Sequence, residues 1–148
     1  MIGGIELGGT KCIVAVADSP EKLLFKKIIS TKDANSTFSE IISFFDDYEI
    51  GSLGVGSFGP IVLDPKSKDY GILVAESKEG WNGVNVVHSL SRITSNIILD
   101  TDVNAAAYGE YYYGAGQNCK TLAYVTIGTG IGVGILLNGK PHVGNFHL

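Results

Sequence analysis

A short apolar segment that leads through two aspartates into a helix is the feature that most constrains this fold. Residues 96–99 form an apolar run typical of a buried strand, and from Val103 onward small and apolar residues recur at i, i+3, i+4 and i+8. Asp102 therefore stands where a strand ends and a helix begins. Ligands of open α/β sheets bind at the carboxyl edge of the strands, so this edge is the first place to expect a site.

Two interpretations of Asp102 remain open from its position alone. An aspartate before a helix is commonly an N-cap that accepts hydrogen bonds from free backbone N–H groups. The alternative is a general base that takes a proton from a substrate hydroxyl. The other residues that the chain brings to the same edge decide between them.

The first segment is predicted to be a β-hairpin with a glycine turn. Residues 3–7 and 11–17 are the strands, and Gly8, Gly9 and Thr10 join them, followed by the cation of Lys11. Two glycines let another group approach the main chain closely, as a phosphate loop requires. A Gly-Gly pair is also a common hairpin turn, so both interpretations stay open.

A second hairpin near the end of the chain has the same plan. Residues 121–127 and 131–137 are predicted strands, joined by Gly128, Thr129 and Gly130. The dinucleotide-binding pattern G-x-G-x-x-G opens a helix, whereas an alternating strand follows here. The two ends of the chain therefore present two similar glycine turns.

Between these hairpins the pattern predicts the order strand, helix, strand, helix, strand, helix. The third strand covers 23–30, an amphipathic helix covers 33–48, and the fourth strand covers 52–56. A long polar connection over 64–83 is predicted to be irregular, and a second helix is predicted over 83–94.

Composition excludes several classes of protein. The 148 residues carry a net charge of −4, which disfavours general binding to nucleic acid. Lys26 and Lys27 form a solvated strand edge in this interpretation. Cys12 and Cys119 are far apart and are expected to be reduced thiols of a cytosolic protein. We expect no membrane span, since no apolar run is long enough, and no leader, since Met1 runs straight into the first strand.

Five motifs, taken together and in order, are more specific than any one of them. They are Glu6-Leu7-Gly8-Gly9-Thr10-Lys11, Gly56-Ser57-Phe58-Gly59-Pro60-Ile61, Gly80-Trp81, Asp100-Thr101-Asp102-Val103-Asn104-Ala105-Ala106 and Val125-Thr126-Ile127-Gly128-Thr129-Gly130-Ile131-Gly132. This set resembles the ROK sugar kinases of the sugar-kinase/actin/Hsp70 superfamily, and most of all their fructokinase branch. The resemblance favours the general-base interpretation of Asp102.

The resemblance implies an α/β fold of ribonuclease-H-like (actin-like ATPase) type, with a mixed sheet whose first three strands are antiparallel. Residues 1–114 would form this N-terminal lobe, and 115–148 the first hairpin of a second, incomplete nucleotide-binding lobe. The chain ends where the family's Glu-x-Gly-His sugar motif would begin. Any structural zinc is expected only beyond Leu148, because neither cysteine matches the family's zinc motif.

The resemblance also implies the chemistry, which is phosphorylation of a hexose hydroxyl by ATP. Asp102 would be the general base, and Glu6 would hold Mg²⁺ through water. Gly59 and Pro60 would close over the sugar, with Thr101 beside it where glucokinase relatives have Asn. The phosphates would bind both glycine turns, at Gly8, Gly9, Thr10, Lys11, Gly128, Thr129 and Gly130.

Several alternatives stay open at this point. Fructose is the expected substrate, but glucose or an N-acetylated hexosamine fits the same motifs. A sugar-responsive repressor of the same family, or a non-catalytic binding protein, is the non-enzymatic alternative, although no basic helix pair precedes the first strand. The expected partners are the hexose and ATP, without nucleic acid or membrane, in a cytoplasmic protein that forms a homodimer at full length.

Overall fold

Two β-sheets joined by one helix make up the structure, a computed structural model that describes residues 1–128 and 130–142. The strands and helices follow each other along the chain in eleven elements. They are β1 Ile2–Leu7, β2 Lys11–Ser19, β3 Lys22–Ser30, α1 Ala34–Phe45, β4 Ser52–Ser57, α2 Val86–Leu90, β5 Ile97–Thr101, α3 Asp102–Tyr113, β6 Thr121–Ile127, β7 Ile131–Leu137 and β8 Lys140–Pro141.

The first sheet has five strands in the order β3-β2-β1-β4-β5. β1 pairs antiparallel with β2, and β2 pairs antiparallel with β3, while β1–β4 and β4–β5 are parallel. The predicted mixed sheet with antiparallel first strands is therefore confirmed. The parallel pairs bring the carboxyl ends of β1, β4 and β5 to one edge, where Leu7, Ser57 and Thr101 lie in register.

The main core lies on the face of this sheet that α1 covers. Alternate residues of β1 and β2 are buried there, as their period-2 pattern requires. Phe38, Ile41 and Phe45 of α1 pack into the same core, which confirms the predicted amphipathic helix. The helix is shorter than the predicted 33–48, because Asp33 is its N-cap and accepts a hydrogen bond from Ser36 N.

The connection between β4 and α2 is more compact than its polar sequence predicted. Ile61 bridges to Leu73 and Ile72 bridges to Asn85, so the segment folds back on itself. Leu73 and Trp81 are fully buried in the main core. The predicted helix over 83–94 is wrong in its bounds, because Gly83 has φ +79° and α2 covers only Val86–Leu90.

The second sheet has three strands in the order β6-β7-β8. β6 and β7 pair antiparallel from Thr121↔Leu137 to Ile127↔Ile131, which confirms the predicted second hairpin. One face of this hairpin packs on α3, and Leu136 is fully buried there. The other face is open, with Ile127 79% and Ile131 76% exposed. None of the helices in the described parts of the chain has the length and apolar character needed to cross a membrane.

Candidate active site between the two sheets

A cleft of about 960 Å³ lies between the carboxyl edge of the first sheet and the tip of the β6–β7 hairpin. Four separate parts of the chain contribute predicted site residues to its wall: the first glycine turn, the connection after β4, the start of α3, and the second glycine turn. The predicted site residues on this wall are Gly9, Thr10, Gly59, Thr101, Asp102, Gly128 and Gly130. Residues more than one hundred positions apart in the sequence thus face one space.

Asp102 is the first residue of α3 and is not its cap. Thr101 is the N-cap, with extended backbone angles (φ −70°, ψ 156°) and a side chain that accepts a hydrogen bond from Asn104 N. The interpretation of Asp102 as an N-cap is therefore wrong. Its Oδ1 accepts a bond from Val103 N at 2.8 Å, and its Oδ2 has no partner within residues 1–128 and 130–142. One carboxylate oxygen is thus free to accept a proton.

Asp100 fixes the junction that presents Asp102. Its Oδ1 accepts two bonds of 2.7 Å, one from Thr101 N and one from Asn104 Nδ2. The Asn104 amide therefore links the end of β5 to the first turn of α3. Because both ends of this link lie beside Asp102, the direction of the Asp102 carboxylate is set by the backbone around it.

Two opposing effects act on the Asp102 carboxyl group. Burial beside the cleft raises its pKa above the ordinary value, and the hydrogen bond from Val103 N lowers it. The start of a helix also favours a negative charge. Burial dominates, so the pKa of Asp102 is raised, and its carboxylate is more basic than an exposed one.

The first glycine turn offers free N–H groups and bound carbonyls. The carbonyl of Gly8 accepts a bond from Thr31 Oγ1 at 2.7 Å, and that of Thr10 accepts one from Thr31 N at 3.0 Å. The N–H groups of Gly9 and Thr10 have no hydrogen-bond partner in the described part of the chain. A turn whose donors are free while its carbonyls are bound elsewhere is suited to an anion.

Glycines at alternate positions of β7 let the hairpin lie directly on α3. A Cβ at Gly132 would stand 2.8 Å from Val103 Cγ1, and a Cβ at Gly134 would overlap the Val103 carbonyl. Gly56 of β4 makes a similar approach from the other side, since a Cβ there would lie 2.8 Å from Ala105 Cβ. The first turn of α3, with Asp102, is thus clamped between β4 and β7.

The variant Gly134→Ala tests this clamp. We expect the free energy of unfolding to fall by about 1–3 kcal/mol, because a methyl group forced against the Val103 backbone must displace either β7 or α3. Urea unfolding measures the change. Gly109→Ala in α3 is the control: a Cβ there meets nothing within 4 Å, so stability should be unchanged or slightly raised. Equal stability of the two variants would contradict the clamp.

Four of the predicted site residues lie outside this wall. Gly8 keeps the turn tight, with its N–H bonded to Lys11 O at 3.2 Å. The Lys11 side chain is exposed and Pro60 is half-buried. Glu6 lines a second cavity of about 610 Å³ beside the first sheet. Thr129 lies outside the described residues.

Strand pairing nevertheless connects Glu6 to a residue of the cleft wall. Glu6 pairs with Gly56, which in turn pairs with Asp100, and Asp100 lines both cavities. No group of three or more metal-ligating side chains occurs among the residues that the structure describes. Mg²⁺ at phosphates commonly uses one or two carboxylates and keeps several waters, and Glu6 and Asp100 are the carboxylates that line the second cavity.

Three functional contributions were not predicted from sequence. Asn104 orients the junction, Gly132 and Gly134 clamp α3, and Lys78 donates a hydrogen bond to the carbonyl of Gly9. The alternation of glycines from 128 to 134 was a usable signal for the close approach of β7. Lys78 gave no signal, since it is one lysine in a polar segment and lies 69 residues from its partner.

Comparison with known proteins places this arrangement in a family. The model of the ROK family matches residues 2–147. The chain belongs to the ROK family. Among curated relatives, it is 41% identical over 138 residues to a fructokinase of Lactococcus lactis subsp. cremoris, covering 93% of this chain and 47% of the relative. It is 39% identical over 143 residues to a fructokinase of Streptococcus mutans, covering 95% of this chain and 48% of the relative.

A solved structure has the same fold. A ROK family glucokinase from Streptomyces griseus, in complex with glucose and AMPPNP, superimposes with a TM-score of 0.81 at 26% identity. The alignment covers 98% of this chain and 47% of the glucokinase. This ROK chain thus spans about half the length of the relatives it matches.

Proposed function

We propose that this ROK chain belongs to a kinase that transfers the γ-phosphate of ATP to a hexose hydroxyl, with fructose as the first candidate. Residues 1–114 would be its first lobe and 115–148 the start of its second. The observation that carries the proposal is the single cleft that brings Asp102 and both glycine turns together. The names of the two relatives, both fructokinases at about 40% identity, favour fructose.

Asp102 is the general base in this proposal. A hexose hydroxyl is a weak nucleophile at neutral pH, and a positioned base that removes its proton contributes about 10²–10⁴-fold to the rate. The free Oδ2 supplies the acceptor, and the raised pKa makes it a better one. Thr101, Gly59 and Pro60 form the hexose side. Thr101 uses its oxygen to cap α3 and keeps its hydroxyl proton for a sugar oxygen.

The two glycine turns hold the phosphates from opposite sides. Gly9 and Thr10, whose N–H groups have no partner among the described residues, line the cleft from the first sheet, and Gly128 and Gly130 line it from the hairpin. Thr129 and Lys11 complete these turns in the proposal. Glu6 would hold Mg²⁺ through water, and the ion would supply charge neutralisation at the phosphates. The whole protein would act as a cytoplasmic homodimer.

A panel of hexoses tests the proposal on the full-length protein. ADP release is measured with ATP and Mg²⁺ in the presence of fructose, glucose, mannose or N-acetylmannosamine. We expect the highest kcat/KM with fructose. A higher kcat/KM with glucose or N-acetylmannosamine would support the proposed reaction, but it would replace fructose as the proposed substrate. Nucleotide binding without phosphorylation of any hexose would instead indicate a binding protein or a repressor, and would end the proposal.

A further inference from the structure

The ammonium group of Lys78 lies close to the first glycine turn and to two aromatic rings. Lys78 lies in the connection between β4 and α2, and its Nζ donates a hydrogen bond to the Gly9 carbonyl. The same Nζ lies 5.6 Å from the ring centroid of Phe58 and 5.9 Å from that of Trp81, both within reach of a cation–π interaction. Phe58 directly precedes Gly59 on the hexose side of the cleft.

The position of the Gly9 carbonyl depends on its hydrogen bond from Lys78. Thr31 binds the carbonyls of Gly8 and Thr10, through its hydroxyl and its N–H respectively. Within the described residues, Lys78 is the donor that binds the carbonyl between them. A Cβ at Gly9 would meet nothing within 4 Å, so the space beside the Gly9 Cα is open. The hydrogen bond from Lys78 is therefore the contact that restrains the Gly9 carbonyl among the described residues.

Lys78 is itself held in place. Its N–H bonds to Ala75 O at 3.0 Å, and its carbonyl accepts Trp81 N at 3.2 Å, so two successive turns fix its backbone. Trp81 is fully buried and donates its indole N–H to Lys32 O at 2.8 Å. The segment that carries Lys78 is thus anchored in the main core, and it places the ammonium group beside the turn.

No carboxylate lies within ion-pairing distance of Lys78 in the part of the chain that the structure describes. Lys22 and Lys27, in contrast, lie 2.7 Å from Asp18 and 3.3 Å from Glu40. The charge of Lys78 is therefore not cancelled beside a turn whose free N–H groups already suit an anion. The positive charge of Lys78 and the free N–H groups of the turn both favour the binding of an anion there.

We propose that Lys78 is a positioning residue for nucleotide binding, which holds the Gly9–Thr10 peptide of the first glycine turn so that the Thr10 N–H faces the phosphates. The nucleotide part of this statement rests on the proposed kinase function. Without the lysine, the Gly9–Thr10 peptide is free to rotate and to turn its carbonyl toward the phosphates. Apparent affinity then falls in proportion to the fraction of molecules that keep the binding orientation.

The test compares Lys78→Met, Lys78→Arg and the control Lys68→Met in the full-length protein. Methionine keeps most of the apolar stem and removes the donor, and Lys68 is exposed in the same connection. Calorimetry measures the binding of AMPPNP with Mg²⁺. We expect Kd to rise about 10-fold in Lys78→Met, as for a turn that is correctly oriented about one tenth of the time. Lys78→Arg should recover much of the loss, and Lys68→Met should bind like the wild type.

Amide exchange in the absence of nucleotide gives a second measurement that does not depend on the kinase proposal. The amides of Gly8 and Thr31 bond to the carbonyls of Lys11 and Thr10, so both report on the turn. They should exchange faster in Lys78→Met, whereas Gly51, bonded to Met1 O at the far end of β1, should not change. Should Lys78→Met fail to fold, Lys78→Leu, which also lacks a donor, takes its place.

Each outcome decides one of the two proposals. Unchanged exchange at Gly8 and Thr31 overturns the role of Lys78, whatever happens to nucleotide affinity. Faster exchange with unchanged AMPPNP affinity overturns its role in nucleotide binding. If the wild type itself binds no AMPPNP and phosphorylates no hexose, the kinase proposal fails, and the exchange data still show whether Lys78 holds the turn.

Discussion

Asp102→Asn is expected to lower turnover of the full-length protein by about 10²-fold or more, the range for loss of a general base. The asparagine keeps the shape of the side chain and an oxygen that can accept the bond from Val103 N. It loses the basic oxygen that the free Oδ2 supplies. KM values for hexose and ATP should change much less than kcat, because the lost interaction belongs to the transition state.

The same substitution is expected to make the protein slightly more stable at neutral pH. The raised pKa of Asp102 means that the folded state binds a proton more readily than the unfolded state. Ionised Asp102 therefore destabilises the fold above its folded pKa, and this cost disappears as pH falls through that pKa. At neutral pH the melting temperature of the variant should be higher than that of the wild type. In acid the two melting temperatures should become equal.

Asp47→Asn is the control for the loss of one negative charge. Asp47 is exposed after α1, far along the chain from the cleft. Its substitution should leave turnover unchanged. An Asp102→Asn protein that unfolds, or that retains full activity, would show that Asp102 supports the fold or lies idle, and the assignment of the base would fail.

A polypeptide of residues 1–148 alone is expected to phosphorylate hexose at least about 10²-fold more slowly than the full-length protein, because misplacement of reacting groups costs that much. The second glycine turn belongs to a small sheet with one open face. Its outward apolar residues are exposed, by 53% at Val125, 79% at Ile127, 76% at Ile131 and 49% at Val133. With this face uncovered, the small sheet is held mainly by its contact with α3, so we expect its turn to be placed less precisely than in the full-length protein.

ADP release with fructose and ATP, measured for both polypeptides, checks this expectation. Size-exclusion chromatography of the short one should show self-association through the open hairpin face. Ile131→Lys in the short polypeptide should reduce that association without restoring activity, because it adds charge to the open face and supplies no cover. Comparable turnover from both polypeptides would mean that the two-lobed architecture is unnecessary.

The sheet could be predicted from sequence because its determinants are local. Alternation in residues 3–17, the caps and turns, and the amphipathic stripe of α1 each specify their own element. The helix predicted over 83–94 failed because Gly83 was included in a helical pattern, although its backbone has positive φ. The spacing of apolar residues carries no information about the sign of φ at a glycine.

The candidate site was predictable in part. Asp102 and the two turns stood out because each lies at the end of a strand. The sequence left the cap interpretation of Asp102 open, since Thr101 and Asp102 are both good capping residues and only the backbone angles distinguish them. Lys78 was out of reach, because its role comes from Trp81 packing into the core and carrying the lysine to Gly9. The roles of all the predicted site residues, including those of Asp102, Glu6 and Lys11, stay predictions.

The open face of the β6–β7 hairpin has a consequence for biosynthesis. Among residues 1–128 and 130–142, the main core draws on residues from Ile5 to Leu99, so the first sheet can close as soon as β5 has left the ribosome. At about 5–20 residues per second, those strands are made within about 5–20 s. The hairpin emerges next, and in a protein of the relatives' length an equal stretch of chain is still to be translated. During that interval its apolar face is exposed to water and prone to association, and slower translation beyond residue 148 would lengthen the exposure.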